Sequence, residues 1–174
     1  MKGNEEKVKN GFSMVEIIAT IAILSFGIIG IYGVFHPASV LTGNFTMRIT
    51  ADYLAQEGLE VVKNIRDNNI VNNRVWSQGL SGCSAGCQLD YKTGTAVETP
   101  ANTLKPYTGN PLNINSDGFY SYDTGNALKF KRKITITRPF PSNSNILKVK
   151  VLVTWDYNSK PFNFETVGYI YNLF

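Results

Sequence analysis

The sequence predicts an α+β fold, in which a long N-terminal helix, membrane-spanning in its first half, packs on a C-terminal antiparallel β-meander. Residues 12–35 form one long apolar run, and apolar residues then recur at helical spacing to about residue 69. Beyond residue 119, apolar and polar residues alternate as they do in strands that bury one face. The chain of 174 residues is long enough for one globular head in addition to that helix.

Composition narrows the class of protein. Hydrophobic residues make up 43% of the chain and charged residues 17%, which excludes a disordered or collagen-like chain. A mean hydropathy of −0.10 excludes a polytopic membrane protein. One His and two Cys leave little material for a metal site, and no catalytic or phosphate-binding motif is present. We therefore expect no enzymatic activity, no cofactor and no bound metal.

The N-terminus divides into a short polar leader, residues 1–11, and an apolar segment, residues 12–37. As a helix, the apolar run would be about 36 Å long, enough to cross a hydrocarbon core of about 30 Å. It is longer than the core of a signal peptide and ends without a small-residue cleavage site. Its one charged residue is Glu16, which is costly inside a membrane. A simple anchor would give no reason to keep that carboxylate.

The residues that begin the apolar run, Gly-Phe-Ser-Met-Val-Glu at positions 11–16, resemble the processing motif of type IV prepilins and type II secretion pseudopilins. The resemblance implies a pilin-like fold and cleavage after Gly11 by a prepilin peptidase, which also methylates the new amine of Phe12. It implies a structural filament subunit whose partners are other pilins or pseudopilins, an inner-membrane platform protein and an assembly ATPase. The precursor would span the cytoplasmic membrane once with its head outside the cytoplasm. It would then join a pilus or a periplasmic or cell-surface filament.

Glu16 has a physical role in such a filament. After cleavage, Phe12 would carry a positive amine one helical turn from Glu16, on the same face. Both charges are costly among apolar groups, and pairing relieves that cost. We predict that the amine of an incoming subunit pairs with Glu16 of a neighbour and sets the register of assembly. The alternative is that Glu16 lies at the membrane interface and reaches the lipid headgroups.

Glycines recur every three residues in the apolar run, at Gly27, Gly30 and Gly33, and Pro37 follows. Small residues let membrane helices approach closely, and glycine weakens a helix by about 1 kcal/mol relative to alanine. Proline also removes a backbone donor. This stretch is therefore predicted to be the flexible part of the helix, able to straighten or partly melt in a filament. General tolerance of Gly and Pro in membrane helices is the alternative.

Residues 38–69 are predicted to continue the helix as an amphipathic segment. Polar residues separate an apolar stripe that we expect to pack on the sheet, made up of Leu41, Phe45, Ile49, Tyr53, Leu54, Leu59, Val62 and Ile65. Residues 55–67 also resemble the corresponding helix of minor pilins and minor pseudopilins, which favours a minor over a major subunit.

The head is assigned to residues 70–174. Gly, Asn, Ser and Pro dominate residues 70–118, which are predicted to be a loop region, and residues 119–174 are predicted to form the sheet. Cys83 and Cys87 lie in the loop region. Because the head would lie outside the cytoplasm, we expect a disulfide between them, with two free buried thiols as the alternative.

Lys129, Lys131, Arg132 and Lys133 form the one dense basic cluster of the sequence. Such a cluster is typical of an anion-binding surface or of the solvated face of a strand. No aromatic residues interleave with the lysines on their own face of the strand for base stacking, so we do not expect a nucleic-acid partner. Besides the filament subunit, three functions stay open: a DNA-uptake (competence) pilin, a membrane-anchored adhesion or binding domain that does not polymerise, and a secreted domain with a long signal peptide.

Overall fold

The computed structural model describes residues 11–93, 104–123, 125–140, 142 and 144–172, with the backbone alone at residues 36, 37 and 39–41. Residues 1–10 of the predicted leader and the side chains of Pro37 and Leu41 therefore lie outside the described part. The chain forms two compact units, Met1–Asn44 and Phe45–Phe174. The fold is α+β, as predicted: a long N-terminal helix and antiparallel sheets.

Helix α1 extends over Met14–Val71, and its backbone is helical through Pro37. The carbonyl of Ser13 accepts the amides of Glu16 and Ile17, which begins the helix. The helix ends two residues after the predicted boundary at residue 69. There Asn73 adopts a left-handed φ of 53°, and the amide of Arg74 donates to the carbonyl of Asn69 over 2.8 Å. This is a Schellman-type end, in which asparagine takes the place usually held by glycine.

The segment Met14–Phe35 of α1 is long and apolar enough to cross a membrane, with a mean hydropathy of 2.3. None of that window is buried within the chain. Its length and composition fit either a membrane anchor or a signal sequence. The prediction of one apolar, membrane-competent helix near the N-terminus is thus confirmed.

The larger sheet of the head has the strand order β2-β1-β6-β7-β8. Its main part is the predicted antiparallel meander, formed by β6 (Lys131–Thr137), β7 (Ile146–Tyr157) and β8 (Lys160–Tyr171). The other strands have two residues each: β1 (Cys87–Gln88), β2 (Lys105–Pro106), β3 (Asn113–Ile114), β4 (Tyr120–Ser121) and β5 (Asn126–Ala127). Strands β3, β4 and β5 form a second antiparallel sheet in the order β4-β3-β5.

Two sequence-based boundaries in the head were wrong. The region 70–118 contains β1, β2 and β3, which are too short for alternation to be visible in the sequence. The alternating segment that begins at Leu128 enters the sheet only at Lys131. Before that point, the amide of Leu112 donates to the carbonyl of Phe130 over 2.8 Å and the amide of Leu128 donates to the carbonyl of Leu112 over 2.9 Å. Residues 128–130 therefore pair with the loop instead of with β7.

The core of the head lies between the second half of α1 and the inner face of the sheet. Small residues make the close approach: a Cβ at Gly58 would lie 3.1 Å from Val151 Cγ1 and 3.2 Å from Arg132 Cδ. The buried positions of the helix are Ala51, Leu54, Ala55, Gly58, Val61, Val62, Ile65 and Asn69. The predicted packing of helix on sheet is thus confirmed.

The predicted apolar stripe is wrong in its first half. Phe45, Ile49 and Tyr53 are 62%, 57% and 67% exposed, so they face away from the core. The sheet selects the face that carries Ala51 and Ala55, because small side chains allow the backbone to approach it closely. A prediction that follows only the large apolar side chains misses a helix face of this kind.

Candidate functional site

The predicted cleavage site is open and non-helical. Gly11, Phe12 and Ser13 precede α1, and the side chain of Phe12 is 80% exposed. A Cβ built on Gly11 meets no atom within 4 Å. A peptide bond in exposed, irregular backbone is one that a peptidase can reach without unfolding a helix.

Glu16 lies in the first turn of α1, where its charge is favourable toward the positive end of the helix dipole. The residue is exposed, and no described residue forms a hydrogen bond or ion pair with its carboxylate. An unpaired carboxylate next to a long apolar surface is suited to a partner supplied from outside the chain.

The apolar segment is exposed around its circumference. Val15, Ile23, Ile29 and Phe35 are each about 70% exposed or more, although they point in different directions around the helix. A helix that is apolar on all sides needs lipid or other helices to cover it. At Gly27, Gly30 and Gly33 an added Cβ would meet no atom within 4 Å, so another helix can approach closely there.

The two aliphatic hydroxyl groups of this segment, those of Thr20 and Ser25, are satisfied within the helix. Thr20 Oγ1 donates to the carbonyl of Glu16 over 2.7 Å, and Ser25 Oγ donates to the carbonyl of Ile21 over 2.7 Å. A membrane-spanning helix needs this arrangement, because no water is present in the hydrocarbon core to pair with polar groups.

Arg132 does not belong to an exposed basic cluster, which corrects the sequence-based assignment. Its exposed fraction is 0%, and its Nη2 donates to the carbonyl of Leu89 over 2.8 Å. Its Nη1 donates to the carbonyl of Leu54 and to Glu57 Oε2 over 2.9 and 2.8 Å. The signal was present in the sequence, since Arg132 alternates in phase with Phe130 and Ile134 on the buried face.

The exposed lysines form part of a larger surface. Lys131 and Lys133 point outward from β6, with Lys129 exposed just before that strand. The register places Lys150 opposite Thr135 and Lys148 opposite Thr137, on the same outer side. We call Lys131, Lys133, Lys148 and Lys150 the basic face.

Aromatic residues border the basic face, which the sequence did not predict. Tyr169 of β8 lies directly opposite Lys148 and is 48% exposed. Lys133 Nζ lies 5.7 Å from the centroid of the Tyr107 ring. An acidic residue is also present, because Glu165 Oε2 pairs with Lys150 Nζ over 2.7 Å. These neighbours come from other segments of the chain, so the pattern of one strand could not show them.

The predicted disulfide between Cys83 and Cys87 is confirmed. Gly82, just before the loop, and Gly86, inside it, have φ values of 88° and 120°, which only glycine adopts easily. The carbonyl of Cys83 accepts the amide of Ile136 over 3.2 Å. The disulfide loop is thereby attached to β6.

Three ionisable groups of the head, Lys92, Asp123 and Tyr122, have shifted pKa values. The hydrogen bond and charge of Asp123 raise the pKa of Lys92, and Lys92 in turn lowers the pKa of Asp123. Burial raises the pKa of Tyr122 to about 12, against the opposing charge of Arg132. The Tyr122 hydroxyl donates to the carbonyl of Arg132 over 3.1 Å. That hydrogen bond attaches Tyr122 to the backbone of β6.

Comparison with protein-family models, with curated proteins and with solved structures gives no match to this chain. In the described residues, no group of three or more His, Cys, Asp or Glu side chains could hold a metal ion. The features left to explain are the exposed apolar helix with its one carboxylate, the basic face and the disulfide loop.

Proposed function

We propose that the chain is the precursor of a structural subunit, of the minor type, of a type IV pilus-like or type II secretion pseudopilus filament, cleaved after Gly11 and polymerised through its N-terminal helix. One observation carries the proposal. The first segment of α1, Met14–Phe35, is apolar and exposed, begins just after the irregular residues 11–13 and carries one carboxylate, Glu16, in its first turn.

The apolar surface of the N-terminal helix can be covered first by lipid and later by the helices of neighbouring subunits. Lipid covers the apolar circumference of the precursor, and neighbouring helices cover it after extraction into a filament. In the filament, the amine of Phe12 from one subunit neutralises Glu16 of another and aligns the two helices. The open surface at Gly27, Gly30 and Gly33 permits their close contact.

Processing at the membrane and extraction into a filament each require partner proteins. A prepilin peptidase and N-methyltransferase processes the chain at the cytoplasmic membrane, and a platform protein with an assembly ATPase drives extraction. The head remains outside the cytoplasm, where its disulfide is stable. The minor-subunit assignment is based on the resemblance of residues 55–67, the part of α1 that packs against the sheet.

The experiment is mass spectrometry of the mature N-terminus, in cells that contain a prepilin peptidase. We expect a chain that begins at methylated Phe12, and a Gly11→Leu variant that keeps its leader. Gly27→Leu is the matched control and should be processed normally. A cut near residue 38 would instead indicate a secreted domain, and an uncut wild-type chain would indicate a plain membrane anchor.

A DNA-uptake subunit is a second candidate, favoured by the position of Tyr169 beside Lys148 on the basic face. Lysines bind phosphates and aromatic rings stack on bases, and the combination is typical of single-strand binding. The test is the binding of labelled oligo-dT to the full chain in neutral detergent, at several salt concentrations. Lys148→Gln/Lys150→Gln should weaken binding about tenfold, whereas Lys63→Gln/Lys160→Gln should not. Equal binding by both double variants would rule out this surface.

A further inference from the structure

A pocket of about 260 Å³ opens at the end of the head where α1 terminates. Its floor is formed by the buried apolar side chains Leu80, Ile136 and Leu147. Its exposed rim includes Ser81, Ser84 and Arg138. An apolar floor with a few polar groups at the edge is the usual composition of a small-ligand site.

The rim of the pocket carries one charged side chain, that of Arg138. Arg138 is the one ionisable residue among those that line the pocket. Across the residues that the structure describes, no hydrogen bond or ion pair engages the side chains of Ser81, Ser84 or Arg138. A guanidinium presents paired donors that match the two oxygens of a carboxylate, and serine hydroxyls add further donors.

The disulfide holds one wall of this pocket. Ser84 lies inside the loop closed by Cys83 and Cys87, and the hydrogen bond from the Ile136 amide to the Cys83 carbonyl attaches that loop to the floor. So short a loop constrains little of the unfolded chain, so the larger effect of the disulfide is local. A wall held in place before binding lowers the cost of ordering it around a ligand.

We propose that this pocket binds a branched aliphatic carboxylate the size of one amino-acid residue. The aliphatic group lies on Leu80, Ile136 and Leu147, and the carboxylate pairs with Arg138 and accepts hydrogen bonds from the serine hydroxyls. Two sources supply this chemistry: the C-terminal residue of a peptide chain, and a free branched-chain acid. The proposal does not depend on whether the chain polymerises.

The probe is N-acetylleucine, and its binding to the full chain in detergent micelles is measured by saturation-transfer NMR with empty micelles as the blank. We expect saturable binding, and at least tenfold weaker binding of N-acetylleucinamide, which lacks the carboxylate. The two sources are separated by 4-methylpentanoate: equal binding indicates a free acid, and much weaker binding indicates a peptide C-terminus.

The matched variants are Arg138→Gln and Arg48→Gln, both at exposed positions. Arg138→Gln should weaken N-acetylleucine binding at least tenfold, and Arg48→Gln should leave it unchanged. Cys83→Ala/Cys87→Ala should weaken it severalfold while near-ultraviolet circular dichroism shows an intact head. Equal affinity for the acid and its amide, or full affinity in Arg138→Gln, would overturn the proposal.

Discussion

Arg132 Nη1 of β6 lies 2.8 Å from Glu57 Oε2 of α1, and the arginine is entirely buried while the glutamate is 30% exposed. The same guanidinium binds the carbonyls of Leu54 on the helix and Leu89 just after β1. One side chain thereby joins the helix, the central sheet and the segment that carries the disulfide. A buried charge of this kind is tolerated because these three hydrogen bonds replace part of the hydration that it loses, although the buried Nε has no partner among the described residues.

Removing the carboxylate should harm the head more than removing the arginine. Glu57→Ala leaves a buried guanidinium without its counter-charge, at a cost of about 2–3 kcal/mol, below the fully buried case because Glu57 is partly solvated. Arg132→Met leaves a carboxylate that can reach water, and should cost less. Denaturant unfolding followed by Trp76 and Trp155 fluorescence measures both.

The double variant Glu57→Ala/Arg132→Met completes that cycle. Since apolar residues can replace a buried ion pair at little cost, it should recover most of the stability lost in Glu57→Ala. Glu60→Ala removes an exposed ion pair with Lys63 and is the control, with an expected effect of less than about 1 kcal/mol. Additive losses in the double variant would show that the pair is not coupled.

Tyr122 should make the head sensitive to alkaline pH. Its pKa is raised from 10.0 to about 12 by burial, so the folded state favours the neutral phenol. The contribution of the neutral phenol to the free energy of unfolding is fully present below pH 10. It is lost as the pH rises through 12, and the loss is at most about 3 kcal/mol. The stability difference between wild type and Tyr122→Phe, measured by denaturation, should therefore shrink between pH 10 and pH 12. Tyr53→Phe, an exposed hydroxyl, is the control, and a constant difference for Tyr122→Phe would contradict the expectation.

The disulfide should contribute modestly to global stability. A loop of the size closed by Cys83 and Cys87 stabilises a fold by about 2 kcal/mol in the chain-entropy model. We expect Cys83→Ala/Cys87→Ala to lower the free energy of unfolding by about that amount, without loss of the sheet signal in circular dichroism. Ser81→Ala/Ser84→Ala changes the same segment but keeps the disulfide, and should cost less. A head that fails to fold without the disulfide would show a larger structural role.

Glu16 should be needed for assembly and not for membrane insertion. Glu16→Val removes a costly carboxylate from the apolar segment, so insertion and processing after Gly11 should persist. The amine of an incoming Phe12 then lacks its partner, at a cost of about 3–5 kcal/mol, which reduces incorporation more than a hundredfold. The measurement is the amount of the variant that co-purifies with filaments.

Thr20→Val is the matched control for Glu16→Val, because it also replaces a polar residue in the apolar segment but leaves the carboxylate. It should enter filaments at the wild-type level. Wild-type incorporation of Glu16→Val would argue against a role in register, or would place this subunit at the filament tip, where no earlier neighbour is present.

The sequence by itself determined the elements whose signals are local. The apolar run identified the membrane-competent helix and alternation identified β6, β7 and β8, whereas the disulfide was expected from the extracytoplasmic position that the N-terminal segment implied for the head. The first two signals are read from residues close together in the chain, because helical and strand periodicities are properties of a single segment.

Tertiary structure alone decided which faces of those elements meet. It turned Ala51 and Ala55 toward the sheet and left Phe45 exposed, because the closest packing, and not the largest apolar side chain, selects a helix face. Strand register brought Tyr169 beside Lys148. Alternation in β6 could place Arg132 on the buried face, but only the tertiary structure shows its partners, Glu57 and two carbonyl groups, which come from segments far apart in the sequence.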